Sequence, residues 1–237
     1  LTGVNFAQPL VAAGLVRKVD WASFGIDKQV VDGPCLLTIA TITYPLTWNT
    51  NLVKEQTPKT WEDMLDPRWK GVMGLWISGE PFAYLVPAWG EAKVTDYVTR
   101  LMQNRPIPIP RQPSVYDMLA AGEISCAVGG NESVLKRTQE KGAPIAGVWA
   151  DPVPVVRYDA LVPTSAAHPN AAILYCVWLA SPEGAAVFEE VVGRGNIFVP
   201  GSPFADRLKG KKISTFAADQ MDQASALMNK YVEMIKQ

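Results

Sequence analysis

The chain has 237 residues, which is long enough to bury a sizeable core, either as one large domain or as two lobes of about 100 residues each. Its 22 Lys and Arg nearly balance its 23 Asp and Glu, and the formal net charge of -1 gives no basic footprint for nucleic acid or anionic lipid. No apolar run approaches the roughly 20 residues that cross a bilayer. The composition therefore argues against a polyanion-binding protein and indicates a globular one.

Two segments near the start of the chain predict a helix and an interrupted strand. The run AQPLVAAGLVRK predicts a short helix that ends near Gly14, because Gly often terminates helices. The run CLLTIATITYPLTWNTNLV is rich in β-branched residues and predicts a strand that is broken at Pro45, since Pro donates no hydrogen bond to a sheet. The following TPKTWEDML predicts the start of a helix with acids in its first turn.

Strands and helices alternate in the middle of the chain. The apolar runs GVMGLWI, ISCAVGG and IAGVWA predict strands, and helices begin near Ser78–Gly79, Pro113–Ser114 and Gly130–Asn131. This alternation predicts α/β layers with parallel pairing, in which the carboxyl ends of the strands meet at one ligand-binding edge. The three helix starts therefore predict a pocket for a small molecule. The alternative is that they are ordinary helix caps.

The last part of the chain predicts an extended crossing followed by helices. Pro152 and Pro154 interrupt the otherwise extended run DPVPVVRYDALVP. The run NAAILYCVWLASPEGAAVFEEVVG predicts two helices that meet at Ser181–Pro182, because Pro suits the first position of a helix. Apolar residues at three- and four-residue steps from Met221 to Ile235 predict a final helix with one buried face.

The residues of common catalytic and metal sites are missing or scattered in the sequence. The single histidine, His168, precedes a helix in a polar stretch, which favours a surface position. No nucleophile elbow, two-histidine zinc motif or phosphate-binding loop occurs. The three cysteines lie far apart in apolar runs, where thiols act as small core residues. The sequence therefore predicts a binding protein without a cofactor and not an enzyme.

Several motifs resemble those of one protein family. The stretch PKTWEDMLDPRWKGVMGLW is similar to a segment of the periplasmic extracellular solute-binding proteins of ABC importers, of the iron, thiamine, polyamine and phosphonate type. In that family it follows an asparagine-threonine strand, which WNTNLV matches here. Further matches are SVYDMLAAGE, WLASPEGAAVFEE and GNIFVPGSP, so the resemblance spans residues 36 to 205.

The resemblance implies an α/β, two-lobed periplasmic-binding-protein type II fold with two crossing strands. We expect lobe one to comprise 1–44 and 154–237 and lobe two 45–153, with crossings at Thr43–Thr47 and Asp151–Arg157. The lobes would close on a ligand in the cleft between them. The implied partners are that small molecule and an ABC permease in the inner membrane, with no nucleic acid. The implied location is the periplasm, with a signal peptide in the precursor.

The resemblance also frames the choice of ligand. Ferric-ion members supply adjacent tyrosines where this chain has VGGNESVL, and Arg111 and Arg157 favour an anionic organic ligand, because guanidinium groups pair with carboxylate or phosphate. A ferric-ion binding protein and the ligand-sensing domain of a regulator remain the alternatives. The predicted ligand-binding residues are Ser78, Gly79, Ser114, Asn131, Arg157 and Tyr158, with Tyr44 and Arg111 as weaker candidates.

The start of the chain corresponds to the middle of lobe one in the family. The resemblance therefore implies an N-terminally truncated form that lacks roughly one β-α-β unit, of about 30 or more residues. We expect such an incomplete lobe to have an exposed sheet edge, to bind ligand weakly and to favour self-association.

Overall fold

The structure, a computed structural model, describes residues 2–236 of the chain, with side chains from residue 7 onward. Its strands are β1 (Thr2–Gly3), β2 (Val31–Asp32), β3 (Leu36–Thr43), β4 (Leu46–Asn49), β5 (Met73–Trp76), β6 (Ile107–Ile109), β7 (Cys126–Val128), β8 (Ile145–Val148), β9 (Val153–Ala160) and β10 (Ile213–Ser214). Its helices are α1 (Val4–Ala12), α2 (Glu80–Ala83), α3 (Val86–Trp89), α4 (Glu91–Met102), α5 (Gln112–Ala121), α6 (Glu132–Glu140), α7 (Pro169–Leu179), α8 (Pro182–Val192), α9 (Pro203–Arg207) and α10 (Met221–Lys236).

The chain forms two compact units. Unit 1 comprises Leu1–Ile42, Val156–Gly210 and Phe216–Asp222, and unit 2 comprises Thr43–Val155, Lys211–Thr215 and Gln223–Gln237. The chain thus passes from unit 1 to unit 2 at the end of β3 and returns within β9. Pro45 separates β3 from β4, which confirms the predicted break in this strand.

The end of the chain differs from the sequence-based division, which assigned all of 154–237 to lobe one. Residues 211–215 and most of α10 belong to unit 2 instead. Tyr231 of α10 packs against Phe82 with ring centroids 6.4 Å apart, and the Lys230 ammonium donates a 2.7 Å hydrogen bond to Glu91. The periodic apolar face predicted for the last helix exists, but its position in the fold could not be derived from its own sequence.

Unit 1 is built on the strand order β1–β9–β3–β2. Strand β10 pairs in parallel with Val153 and Pro154, the first residues of β9, and these residues belong to unit 2. Nearly all residues of β3 are buried, and they include the threonines Thr38, Thr41 and Thr43. The hydrophobic core of unit 1 includes Trp21, Leu37, Ile39, Val162 and Leu179. The predicted helix break is confirmed, since α7 ends at Leu179 and the Ser181 hydroxyl accepts from the Gly184 amide at the start of α8.

Hydropathy gives no single membrane-spanning helix among residues 2–236. Only α7 and α8 taken together are long and apolar enough, and these two helices meet at an 83° bend.

Unit 2 is built on the strand order β6–β5–β7–β4–β8. Strand β5 runs parallel to both β6 and β7, whereas β4 runs antiparallel to β7 and β8. The predicted α/β class with parallel pairing is therefore confirmed here. Pro108 lies in β6, at the edge of the sheet, where a missing backbone donor is tolerated.

The stretch TPKTWEDML forms a short 3-10 helix, Glu62–Leu65, and not the α-helix that the sequence suggested. The Asp63 carboxylate accepts from the amides of Lys59 and Thr60, and these two hydrogen bonds hold the residues just before the 3-10 helix in a turn. The indole of Trp61 donates to Pro152 and that of Trp69 donates to the Asp63 carbonyl, and both rings are buried. Both tryptophans are therefore structural anchors of this segment.

Candidate functional site

The topology of unit 2 gathers five chain segments at one edge of its sheet. The carboxyl ends of the parallel strands β6, β5 and β7 lead into α5, α2 and α6. Because β4 is antiparallel to β7, its first residues lie at this same edge, together with the last residues of β8. The residues before β4 and after β8, Tyr44 and Trp149, therefore join the three helix starts.

Tyr44 and Glu80 form the central contact of this edge. The Tyr44 hydroxyl donates a short hydrogen bond to Glu80 Oε2, and the Glu80 amide donates to the Ser78 hydroxyl at 3.2 Å. Burial, reinforced by Glu80, raises the pKa of Tyr44 well above 10, so the phenol stays protonated and remains a donor. Burial also raises the pKa of Glu80 from its ordinary 4.5, against the opposing effect of the Tyr44 hydrogen bond. The Trp76 ring lies 6.0 Å from that of Tyr44.

Thr43 and Glu132 form a second contact beside the first. Glu132 Oε2 accepts from the Thr43 amide at 2.7 Å and from its hydroxyl at 3.2 Å. The Thr43 hydroxyl in turn accepts from the Trp149 indole at 2.8 Å. Consecutive residues of the chain, Thr43 and Tyr44, are thus each bonded to a carboxylate that belongs to the first residue of a helix.

Asn131 caps α6 and forms hydrogen bonds with two residues of α5. Its side-chain oxygen accepts from the Val134 amide and its amide group donates to Gln112, while its carbonyl accepts from the Tyr116 hydroxyl. A Cβ on Gly130 would lie 2.4 Å from that hydroxyl, so only glycine fits between β7 and the cap. The predicted cap is confirmed, and Asn131 is 5% exposed.

The other predicted residues of unit 2 do not all lie beside the Tyr44–Glu80 contact. Ser78 is partly exposed, and its hydroxyl accepts from the Glu80 amide, so this predicted residue does lie at the sheet edge. Gly79 instead faces α10, where a Cβ would come within 2.3 Å of the Met228 carbonyl oxygen. Ser114 is a partly exposed residue of the first turn of α5, and its amide donates to the carbonyl of the exposed Arg111.

The two predicted residues of unit 1 lie on β9. The Arg157 guanidinium donates to the Gln29 carbonyl at 3.1 Å and to the Thr38 hydroxyl at 2.9 Å, and its Nε lies 3.9 Å from Asp32 Oδ2. Arg157 also covers the Phe198 ring at 4.0 Å. Its charge is therefore already engaged by unit 1 itself.

Tyr158 is partly buried against the core of unit 1, and the Arg194 guanidinium lies 5.0 Å from its ring centroid. Arg194 belongs to the GRGNIF stretch that follows α8, and the loop is fixed to β3 because the Gly195 carbonyl accepts from Thr41.

Sequence reasoning missed the two carboxylates of the unit 2 edge, Glu80 and Glu132. Each directly follows a helix start that the sequence did identify, so the first residue of these helices was the available signal. Thr43 and Trp149 carried no such signal, because their position depends on the antiparallel placement of β4 and β8.

The edge offers carboxylate and hydroxyl oxygens together with the rings of Tyr44, Trp76 and Trp149, and this chemistry suits binding. Within the described residues, no group of three or more His, Cys, Asp or Glu is arranged to hold a metal ion. Cys35, Cys126 and Cys176 are free and buried, and burial raises the pKa of the Cys126 and Cys176 thiols, which keeps these two protonated.

Comparison with known proteins gives a family match and several similar folds. A family model described as "Bacterial extracellular solute-binding protein" matches residues 7–203. No curated protein matches the chain.

Among solved structures, iron-bound HitA from Pseudomonas aeruginosa is 19% identical, with a TM-score of 0.75 over 97% of this chain and 80% of that one. Ferric iron-binding protein A from Mannheimia haemolytica, in an open conformation, is 14% identical, with a TM-score of 0.78 over 99% and 81%. AfuA from Actinobacillus pleuropneumoniae, with fructose-6-phosphate bound, is 21% identical, with a TM-score of 0.72 over 99% and 81%. At these identities the likeness is one of fold, and it agrees with the periplasmic-binding-protein type II class.

Proposed function

This chain belongs to the bacterial extracellular solute-binding proteins, which serve ABC importers, and we propose that it acts in the periplasm and delivers its solute to a membrane permease. The family and the similar solved structures are binding proteins and not enzymes. The truncation and the self-association expected from the resemblance stay predictions.

The observation that carries our proposal for the solute is the Tyr44–Glu80 pair. Glu80 Oε2 accepts from the tyrosine hydroxyl, whereas Oε1 accepts no hydrogen bond from the described part of the chain. No lysine or arginine of that part forms an ion pair with Glu80. A partly exposed carboxylate with a neutral partner keeps its charge available for a ligand.

The rings beside Glu80 indicate which donors suit it. The partly exposed Trp76 ring lies 6.0 Å from the ring of the buried Tyr44, which holds the carboxylate, and aromatic faces attract cations. The Ser78 hydroxyl adds a further polar contact. We therefore favour a small organic amine, held by a charge-assisted hydrogen bond to Glu80, as the solute.

The anionic solute predicted from Arg111 and Arg157 is the second candidate. Arg111 supports it, because this side chain is exposed beside the start of α5. Arg157 gives less support, since its guanidinium already contacts Asp32, Thr38 and Gln29.

A thermal-shift screen separates these solutes, because a ligand that binds only the folded state raises its apparent stability. The probes are putrescine for amines, fructose-6-phosphate for anions, a neutral polyol, and ferric iron with citrate. We expect putrescine or a related amine to raise the unfolding temperature. A shift with fructose-6-phosphate or ferric iron, and none with any amine, would overturn the amine assignment but leave the solute-binding role intact.

A further inference from the structure

A row of charged and polar side chains crosses the sheet of unit 1. Asp32 lies on β2, Thr38 on β3, and Arg157 and Asp159 on β9, and these three strands are neighbours in the sheet. The Thr38 hydroxyl donates to Asp159 Oδ1 at 2.8 Å and accepts from Arg157 at 2.9 Å. Asp159 is fully buried and Asp32 is 6% exposed.

The charges of this row do not balance. Two carboxylates share one arginine, so the buried row would carry a net charge of -1 if both acids were ionised. Asp32 Oδ2, Asp159 Oδ2 and Arg157 Nε are all buried without a hydrogen-bond partner among the described residues. An unpaired buried charge is costly, and a carboxyl group avoids that cost by binding a proton.

Asp159 is the acid that the geometry leaves without compensation. Asp32 accepts from the Ala218 amide at 3.0 Å and lies 3.9 Å from the arginine, whereas Asp159 has only the neutral Thr38 hydroxyl. The strands that flank β9 in this sheet, β1 and β3, contain no Asp, Glu, Lys or Arg. Asp219 is the remaining acid that acts on the row, through Asp32.

We propose that this row is a proton switch: Asp159 carries a proton in the stable form of unit 1, and loss of that proton weakens the pairing of β3 with β9. The electrostatics agree, because burial and then the nearby Asp32 raise the pKa of Asp159 from 3.8 to about 7. A raised carboxyl pKa makes the folded state bind more protons than the unfolded state, so stability falls as pH rises from 3.8 towards about 7 and then levels off.

Hydrogen exchange of the β3 and β9 amides tests the switch at the strands where it acts. After correction for the intrinsic exchange rate, we expect the wild-type opening constant to rise by about tenfold per pH unit across most of that window. Asp159→Asn keeps the carbonyl acceptor for Thr38 and cannot ionise, so its profile should be flatter. Asp206→Asn, at an exposed position of α9 in the same unit, should retain the wild-type profile.

A second measurement needs no variant that might fail to fold. The carboxyl carbon-13 shift of Asp159 in the wild-type protein, correlated through its backbone, should titrate with a midpoint of about 7. Titration near the ordinary 3.8 would overturn the proposal, as would an exchange profile that Asp159→Asn leaves unchanged. A midpoint that moves strongly with sodium or potassium concentration would replace the proton by a bound cation and also overturn it.

Discussion

The acids of the two units have different partners. In unit 1, Asp32 pairs with the arginine of β9 inside the sheet, at 3.9 Å from its Nε. In unit 2, Glu80 lies at the strand edge and is held by the neutral Tyr44 hydroxyl. The charge of an acid that pairs with arginine is already compensated within the fold. The charge of an acid that accepts from a neutral phenol remains available to a ligand. This contrast is why we assign the solute contact to unit 2.

The largest stability effect should come from removing the arginine of unit 1. Arg157→Met leaves the buried Asp32 carboxylate without its cation, and we expect it to lower the free energy of unfolding by about 3 kcal/mol in denaturant titration. Arg111→Met is the matched control, because Arg111 is exposed, and it should change this free energy by less than about 0.5 kcal/mol. Equal effects of the two variants would mean that Arg157 has no special role in unit 1.

The corresponding change in unit 2 should have a smaller effect. Tyr44→Phe removes the donor to Glu80 and should cost about 1–2 kcal/mol in the same titration. Because the Tyr44 hydrogen bond lowers the pKa of Glu80, this variant should also raise that pKa, which carbon-13 titration of the Glu80 carboxyl measures. An unchanged Glu80 titration would contradict the pairing of the two side chains.

Two helix caps give the smallest expected effects and compare the units directly. Ser181→Ala in unit 1 loses the hydrogen bond to the Gly184 amide and should cost about 1 kcal/mol. Asn131→Ala in unit 2 loses its cap and also the contact with Gln112, so its cost should be larger by about 0.5–1 kcal/mol. If Asn131→Ala cost no more than Ser181→Ala, the Asn131 network would be an ordinary cap.

The sequence predicted those parts of the fold that local chemistry determines. Pro45 marked the strand break, Asn131 and Ser181 marked helix starts, and strand–helix alternation gave the α/β class. The resemblance of several motifs gave the family.

Charge partners could not be predicted in this way, because they depend on which strands become neighbours. The contact of Arg157 with Asp32 arises because β9 lies in the same sheet as β2, and the ligand-binding role of Arg157 stays a prediction. The sequence did not indicate Glu80, because the hydrogen bond that makes it a candidate comes from Tyr44, which is 36 residues away in sequence.

The central claim is that Glu80 provides the solute contact, and the affinity of Glu80→Gln for the amine probe tests it most directly. Isothermal titration with putrescine should show binding weakened by about tenfold or more, because a charge-assisted hydrogen bond contributes about 1.5–3 kcal/mol. Asp159→Asn, at a buried acid of unit 1, should bind as the wild type does. Unchanged affinity in Glu80→Gln, with the folded state intact, would contradict the account.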